Sequence, residues 1–394
     1  MTATQSVTTR GYRRVVAASG LANLGDGIRQ VALPLLAAGI THDAVLVGGL
    51  TACAYVPWML FGLPIGALVD RGRPELYLFG AAIARTVLFA VLAVSLVLGV
   101  RELLLLYVVT FLLGIGEAAY DNASQSMIPR VVPVESLERA NGALVSVERL
   151  GQDLIGPAVG GVIFAVAAPL PFSLTAFAMF AGLILVLRLR TPAQVAEKPA
   201  TPGVVLKEAV AGTRWLWRSR QVRLVIVTGA CLTFVTQMWE PLLVLLVGTS
   251  AAGFGAILAV GAIGGIVGAV VTPRLTRRWG QRSAQIMALG VVAVSNLVLA
   301  MWPTPVLAAV TLSVVSFGFA VWNVLSTSMR QRVVPTAVLG RVNAASRTLS
   351  MTAGPLGALA GGGIGAGFGL TAPLWLSGAV LVVVAVFFAS RAAD

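Results

Sequence analysis

Apolar residues fill this chain in long runs, and polar residues gather in the short stretches between them. Twelve runs can be counted, at roughly 14–39, 44–69, 75–99, 102–128, 136–166, 168–188, 221–246, 250–273, 282–302, 304–329, 337–366 and 371–390. Each reaches the roughly 20 residues that a helix needs to cross a hydrocarbon layer of about 30 Å. A barrel would show strands of about 10 residues with alternating polarity instead. The pattern predicts an all-α membrane protein of twelve transmembrane helices. Runs five and eleven are long, so their polar ends are expected to protrude.

Composition agrees with this pattern. The chain is 58% hydrophobic and 11% charged, where a soluble domain is about 25% charged. Burying so much apolar surface in water would leave no surface at all, so lipid is the natural solvent. The net charge of +13 raises the question of nucleic acid, and position answers it. Basic residues occupy every second junction: Arg71 and Arg73, Arg130 and Arg139, the 189–220 connector, Arg274, Arg277, Arg278 and Arg282, then Arg330, Arg332 and Arg341. The other junctions hold only Arg101. Positive charge marks the cytoplasmic side. Both termini are therefore expected in the cytoplasm, the chain multi-pass in the inner (cytoplasmic) membrane, and nucleic acid is not an expected partner.

The start, after Arg10, Arg13 and Arg14, has the look of an uncleaved anchor. Residues 189–203 contain Pro192, Pro199 and Pro202 and have linker character. The following VVLKEAVAGTRWLWRSRQ is either an interfacial helix, with Trp215 and Trp217 at headgroup level, or an extension of span seven. This divides the chain into a first bundle at 1–188, a linker with an interfacial helix at 189–220, and a second bundle at 221–394.

Several kinds of chemistry find no support. Cys53 and Cys231 lie inside apolar runs, and His42 is the single histidine. No metal cluster, cofactor or nucleophile–base set can be assembled from these, so the chain is not expected to be an enzyme. Gly264-Gly265-Gly268 and Gly361-Gly362-Gly363 suit close helix packing. They follow no strand, which excludes a phosphate loop. Without an ATPase motif, energy for any work must come from a gradient.

The chain repeats itself. SQSMIPRVVP at 124–133 and STSMRQRVVP at 326–335 agree at seven of ten positions, 202 residues apart. The same shift sets LERANGA from Leu137 on LGRVNAA from Leu339, and Gly66-Ala67 on Gly268-Ala269. Six spans are followed by six more, entering from the same side. This is the parallel repeat in which two bundles rock about a midplane site. The offset pairs Asp26 with Thr228, Arg29 with Cys231, Asp70 with Thr272, Glu117 with Phe319, Asp121 with Asn323, Glu148 with Ser350, Arg149 with Met351 and Asp153 with Pro355. Intramembrane charge is thus concentrated in the first half. The second half folds without it, which favours a functional origin.

The loop GLPIGALVDRGRPE at 62–75 is similar to the signature of the major facilitator superfamily, through Gly66, Asp70, Arg71, Gly72 and Arg73. Pro74-Glu75 stand where the signature has its final basic residue. GPAVGG, at Gly156, Pro157, Gly160 and Gly161, resembles an element of the family's antiporters. Span four lacks the intramembrane arginine seen in many drug–proton antiporters. NLGDGIRQVALPLLA and YVPWMLFGLPIGALVDR resemble the branch containing macrolide-efflux proteins and an enterobactin exporter. The resemblance implies a small-molecule exporter, monomeric, driven by proton antiport. An importer or facilitator, or a non-transporting sensor subunit, is the alternative. It also implies that spans one, four, seven and ten line a cavity.

Within that frame the polar residues become candidates. Asn23, Asp26 and Gln30 share one face of span one. Asp26 is either a proton- or substrate-binding acid or an acid permanently paired with an arginine, with Arg29, Arg85 and Arg149 as partners. Glu117 and Asp121 lie one turn apart, and a shared proton relieves their repulsion. Glu117 is expected in coupling, and Asp121 in a gate with Gly66, Asp70, Arg71 and Arg73. The alternative is that both acids are simply solvated in an inner vestibule. Arg149 and Asp153 are spaced for an ion pair along span five, Glu148 points away from them toward Arg29 or Arg85, and Asp153 and Glu148 join Asp26 and Glu117 as proton-coupling candidates. Gln237, Trp239, Glu240, Trp322 and Asn323 are substrate-cavity candidates; Trp239 is equally an interfacial anchor. Residues 350–363, SMTAGPLGALAGGG, keep a Gly-Pro without charges. A bend is therefore expected in both halves.

Overall fold

The computed structural model describes residues 10–71, 73–133, 136–187, 214 and 216–391. Most of the 189–220 linker, including Trp215, lies outside the described residues. All regular structure among them is helical: α1 (Arg10–Ile40), α2 (Ala44–Arg71), α3 (Pro74–Val97), α4 (Leu103–Val131), α5 (Leu137–Arg149), α6 (Gly156–Val166), α7 (Pro169–Leu187), α8 (Arg220–Trp239), α9 (Leu243–Val247), α10 (Ala251–Met301), α11 (Pro305–Val333), α12 (Thr336–Phe368) and α13 (Ala372–Arg391). Eight helices among the described residues are long and apolar enough to cross a membrane. Their large side chains turn outward freely: Leu104, Val166 and Val306 are each more than 70% exposed. Such a surface suits lipid and not water.

Helix breaks have local causes. Between α8 and α9, Glu240–Leu242 forms a single 3-10 turn around Pro241. Helix α10 has one backbone reversal, at Gly280, with φ +79°. A side chain there would be strained, and the reversal falls between expected spans eight and nine. Span five is broken differently. A π-helical turn, Leu150–Ile155, joins α5 to α6. Pro157 has no N–H to give to the carbonyl of Asp153. The ladder slips by one residue, and the Gly156 N–H donates to the carbonyl of Gly151.

Contacts divide the chain into two compact units. The first holds the described parts of 1–40, 56–199 and 250–259; the second holds those of 41–55, 200–249 and 260–394. In the first, α7 packs on α1 and α3, and α1 crosses span five. That crossing is made backbone to backbone. A Cβ on Gly27 would stand 2.5 Å from the Gln152 carbonyl oxygen, and one on Gly156 would stand 2.6 Å from the Cα of Gly27. In the second unit α8 packs on α12 in the same manner, with Gly357 and Gly361 against the carbonyls of Phe234 and Met238.

Helix ends refine the repeat. Leu103 and Pro305 open α4 and α11, and Val131 and Val333 close them, both pairs 202 apart as expected. Ile40 and Val247, and Ala44 and Ala251, stand 207 apart instead. Side-by-side packing supports the larger number. Gly48 meets Ala358 and Gly362 as Gly255 meets Pro157 and Gly161, and Gly48 and Gly255 are again 207 apart. The expected pairings at the front of each half are therefore corrected. Asp26 corresponds to Thr233, Arg29 to Thr236 and Asp70 to Arg277; the match of Gly66 with Gly268 was fortuitous. Spans one and seven still differ as the sequence argued, by two charges against two hydroxyls.

Candidate functional site

Helices α1, α3 and α4 bring five ionisable side chains together inside the first unit. Arg85 of α3 donates through Nη2 to Oδ1 of Asp26 on α1. Arg29, one turn beyond Asp26, holds its Nε 3.5 Å from the same oxygen. Its Nη2 donates to Oε2 of Glu117 on α4 at 2.6 Å. Asp121 lies one turn past Glu117, within the electrostatic reach of Glu117, Asp26, Arg85 and, from span five, Glu148. Asp26 and Arg85 are 2% and 1% exposed. Charges so deeply placed persist because they are paired, since removing one partner leaves an uncompensated buried ion.

Sequence explains how the group is held. Gly116 is the reason Arg85 fits: a Cβ at 116 would stand 2.7 Å from the Arg85 Cγ. The Arg85 guanidinium lies 5.6 Å from the ring centre of Tyr120, within cation–π range. Below the ions, Ser19 and Ser124 hydrogen-bond at 2.6 Å, and Asn23 donates to the Ser19 carbonyl at 2.9 Å. The serine pair fixes α1 against α4, and the Asn23 bond stays within α1. Two guanidinium nitrogens of Arg85, Nε and Nη1, find no hydrogen-bond partner among the described residues. The group counts three carboxylates against two guanidiniums. Among the described residues Asp121 makes no ion pair.

The remaining sequence candidates scatter. Arg149 and Asp153 form the expected pair, at 3.2 Å, but their side chains are 72% and 38% exposed. Glu148 is half-buried beside Arg149, and Arg29 and Arg85 are occupied by Asp26 and Glu117. Gln30 is exposed, while Asn23 is buried. In the second unit Gln237 and Trp239 are buried, Glu240 is half-buried and Asn323 is exposed. Trp322 is buried edge-on against Phe388, ring centres 5.4 Å apart, with Gly229 leaving room for its indole. For the gating loop, Gly66 lies beside Asn122, where a Cβ would meet Oδ1 at 3.2 Å. The side chains of Asp70 and Arg71, and all of Gly72, lie outside the described residues.

Three features escaped the sequence reading. Tyr120 and Gly116 flank the acids of α4, and adjacency to Glu117 and Asp121 was the available signal. Glu75, the departure from the loop signature, has a partner: Arg73 donates to it at 3.2 Å and Arg130 stands 3.8 Å away. The acid ties the start of α3 to the end of α4.

Known proteins are similar to this chain over nearly its whole length. A family profile described as Major Facilitator Superfamily matches residues 15–358. The multidrug efflux pump Tap of Mycolicibacterium fortuitum is 26% identical over 380 residues, covering 93% of this chain and 92% of its own. The enterobactin exporter EntS of Shigella boydii serotype 4 (strain Sb227) is 28% identical over 385 residues, covering 95% and 90%. Among solved structures, a mutant of the nucleoside transporter NupG superposes with a TM-score of 0.75 at 11% identity, over 96% of this chain and 99% of that one. A bacterial homologue of the iron transporter ferroportin, in an inward-facing state, gives 0.72 at 16% identity, over 97% and 98%. With a profile match across most of its length and an all-helical, lipid-suited fold, this chain belongs to the Major Facilitator Superfamily and is a multi-pass membrane transporter, not an enzyme.

Proposed function

We propose that the protein exports amphipathic small molecules across the cytoplasmic membrane by proton antiport with alternating access. The substrate is a drug, a macrolide-like metabolite or a siderophore. Twelve spans in two halves, 1–188 and 221–394, with cytoplasmic termini and a linker at 189–220, complete the reading. The protein acts as a monomer. Support for the direction comes from the relatives, which are named as an efflux pump and an exporter.

One observation carries the coupling: the ionic group on α1, α3 and α4, with Asp26, Arg29 and Arg85 buried and Glu117 and Asp121 partly buried, has one carboxylate in excess. Asp26 is held by Arg85 and Glu117 by Arg29. Asp121 remains, one turn from Glu117. A proton on either acid of α4 balances the group. When it leaves, three carboxylates compete for two guanidiniums in a packed, low-dielectric place. Arg29 already touches both Asp26 and Glu117, so its shift between them transmits the charge state to the contact of α1 with α4. A cationic or amphipathic substrate that neutralises the same excess competes with the proton. In this scheme Asp26 anchors, Glu117 and Asp121 carry, and Glu148 and Asp153 play a peripheral electrostatic part. Asn23, Gln30, Gln237, Trp239, Glu240, Trp322 and Asn323 contact substrate. Gly66, Asp70, Arg71 and Arg73 gate with Asp121.

The test has two steps. Expression in an efflux-deficient bacterium, scored against cationic dyes, macrolides and catecholate siderophores, identifies a substrate by raised resistance. Uptake of that compound into inside-out vesicles under an imposed pH gradient is then compared with Glu117→Gln and Asp121→Asn. The proposal expects uptake in the wild type and gradient-independent background in the variants. Undiminished uptake in both, or accumulation by intact cells instead of exclusion, would overturn it.

A further inference from the structure

The second unit contains an apolar groove that the transport cycle above does not use. It has a volume of about 350 Å³ and lies between α8 and α12. Val227, Ala230, Cys231 and Phe234 form one wall, and Leu349, Thr352, Ala353 and Leu356 form the other. The Thr352 hydroxyl is spent on the carbonyl of Thr348, at 2.9 Å. The lining therefore offers a ligand nothing but hydrocarbon contact. Val227 and Leu356 are 41% and 53% exposed, so the groove is open along its length.

One end of the groove has different chemistry. Trp217 also lines it, half exposed, just before the start of α8. Arg223 donates to the Trp217 backbone carbonyl at 2.8 Å and fixes that residue in place. The Ser219 hydroxyl accepts from the Val222 N–H and caps the helix. Exposed Arg218 and Arg220 stand beside them. No acid occurs between 209 and 239, so every charge in this stretch is positive. Helical rise puts Val227 about 10 Å above Arg220, the spacing of an upper acyl chain from its phosphate.

We propose that this groove is a binding site for an anionic phospholipid, with one acyl chain between α8 and α12 and the headgroup on Arg218, Arg220 and Arg223. The chemistry of both ends selects that occupant. A purely apolar ligand would not draw on the basic end, and a free phosphate would leave the groove empty. Tryptophan at the boundary between them suits the headgroup level, and clustered arginines beside a membrane span attract anionic lipid. A lipid seated here lies against the contact of α8 with α12. It would therefore tune the packing of the second unit, which lacks the ionic group of the first.

The full-length protein, reconstituted in phosphatidylcholine vesicles containing phosphatidylglycerol, tests this. Bromine is placed on the acyl chains of one lipid at a time, and quenching of Trp217 is taken as the difference between wild type and Trp217→Phe. Brominated phosphatidylglycerol should quench Trp217 with an apparent affinity on the order of tenfold above brominated phosphatidylcholine. The triple variant Arg218→Ala, Arg220→Ala, Arg223→Ala should equalise the two lipids. Ala353→Phe fills the groove but keeps the arginines, and it should also abolish the preference. Equal quenching by both lipids in the wild type overturns the proposal. So does a preference that survives Ala353→Phe, which would show a general electrostatic surface without an acyl site. Thermal unfolding of each variant near that of the wild type confirms that the comparison is between folded proteins.

Discussion

The two halves of this transporter solve the same packing problem with different side chains. Helix α1 crosses span five at Gly27, Gly156 and Gly160, and α8 crosses α12 at Gly357 and Gly361. In both, missing side chains let backbones touch, the usual route to tight packing in lipid. Around that shared crossing the chemistry diverges. By repeat position, Asp26 and Arg29 in the first half correspond to Thr233 and Thr236 in the second, and Glu117 and Asp121 correspond to Phe319 and Asn323. Among its described residues the second half therefore folds without fully buried ions. Burying them costs several kcal/mol per ion before pairing offsets it. A cost taken on in only one copy of a duplicated fold points to function. The helix break differs likewise. Pro157 accompanies a π turn, the kind of irregularity that marks functional sites, while Pro355 lies within the unbroken α12. Among the described residues the π distortion occurs in the first half alone.

Substitutions can break this comparison. The largest effect is expected from Arg85→Ala, which strands Asp26 without its deepest partner. Stability should fall by about 3–5 kcal/mol, read as a lowered midpoint of thermal unfolding in detergent. Asp26→Asn combined with Arg85→Gln should recover much of that loss, because neither charge of the deepest pair is left without the other. Next comes Gly156→Ala. Its methyl would meet the Cα of Gly27 at 2.6 Å, and the forced separation of α1 from span five should cost about 1–3 kcal/mol. Gly357→Ala should cost a similar amount in the second half, showing that the crossings are equivalent. Arg149→Ala is the smallest. The pair with Asp153 is largely exposed and should contribute only about 0.3–0.5 kcal/mol. A loss as large as that of Arg85→Ala would move the functional centre to span five.

Much of this was legible in the sequence, for identifiable reasons. Runs of apolar residues scale with bilayer thickness, so helix placement followed from length. Residues 124–133 and 326–335 exposed the repeat because they kept their identities. The repeat failed at its front because a 202-residue offset was extended across spans where the true offset is 207. The local match of Gly66 with Gly268 disguised the slip. Partners of Asp26 were narrowed to three arginines, and spacing along one helix could not choose between them. Arg85 prevails because Gly116 opens a path across α4, a packing fact with no signature in periodicity. Glu148 and Asp153 looked like part of the same centre from their depth in span five. The π turn and the crossing of α1 leave Asp153 with Arg149 at the periphery.

The central claim is that the first half binds one exchangeable proton on the acids of α4. Infrared difference spectroscopy of the reconstituted protein, titrated from alkaline to acidic pH, reads protonated carboxyl groups directly and requires no known substrate. The account predicts a carboxyl band in the wild type that is lost or shifted in Glu117→Gln and in Asp121→Asn and persists in Asp153→Asn. A band unchanged in both α4 variants, or one abolished only by Asp153→Asn, would contradict it.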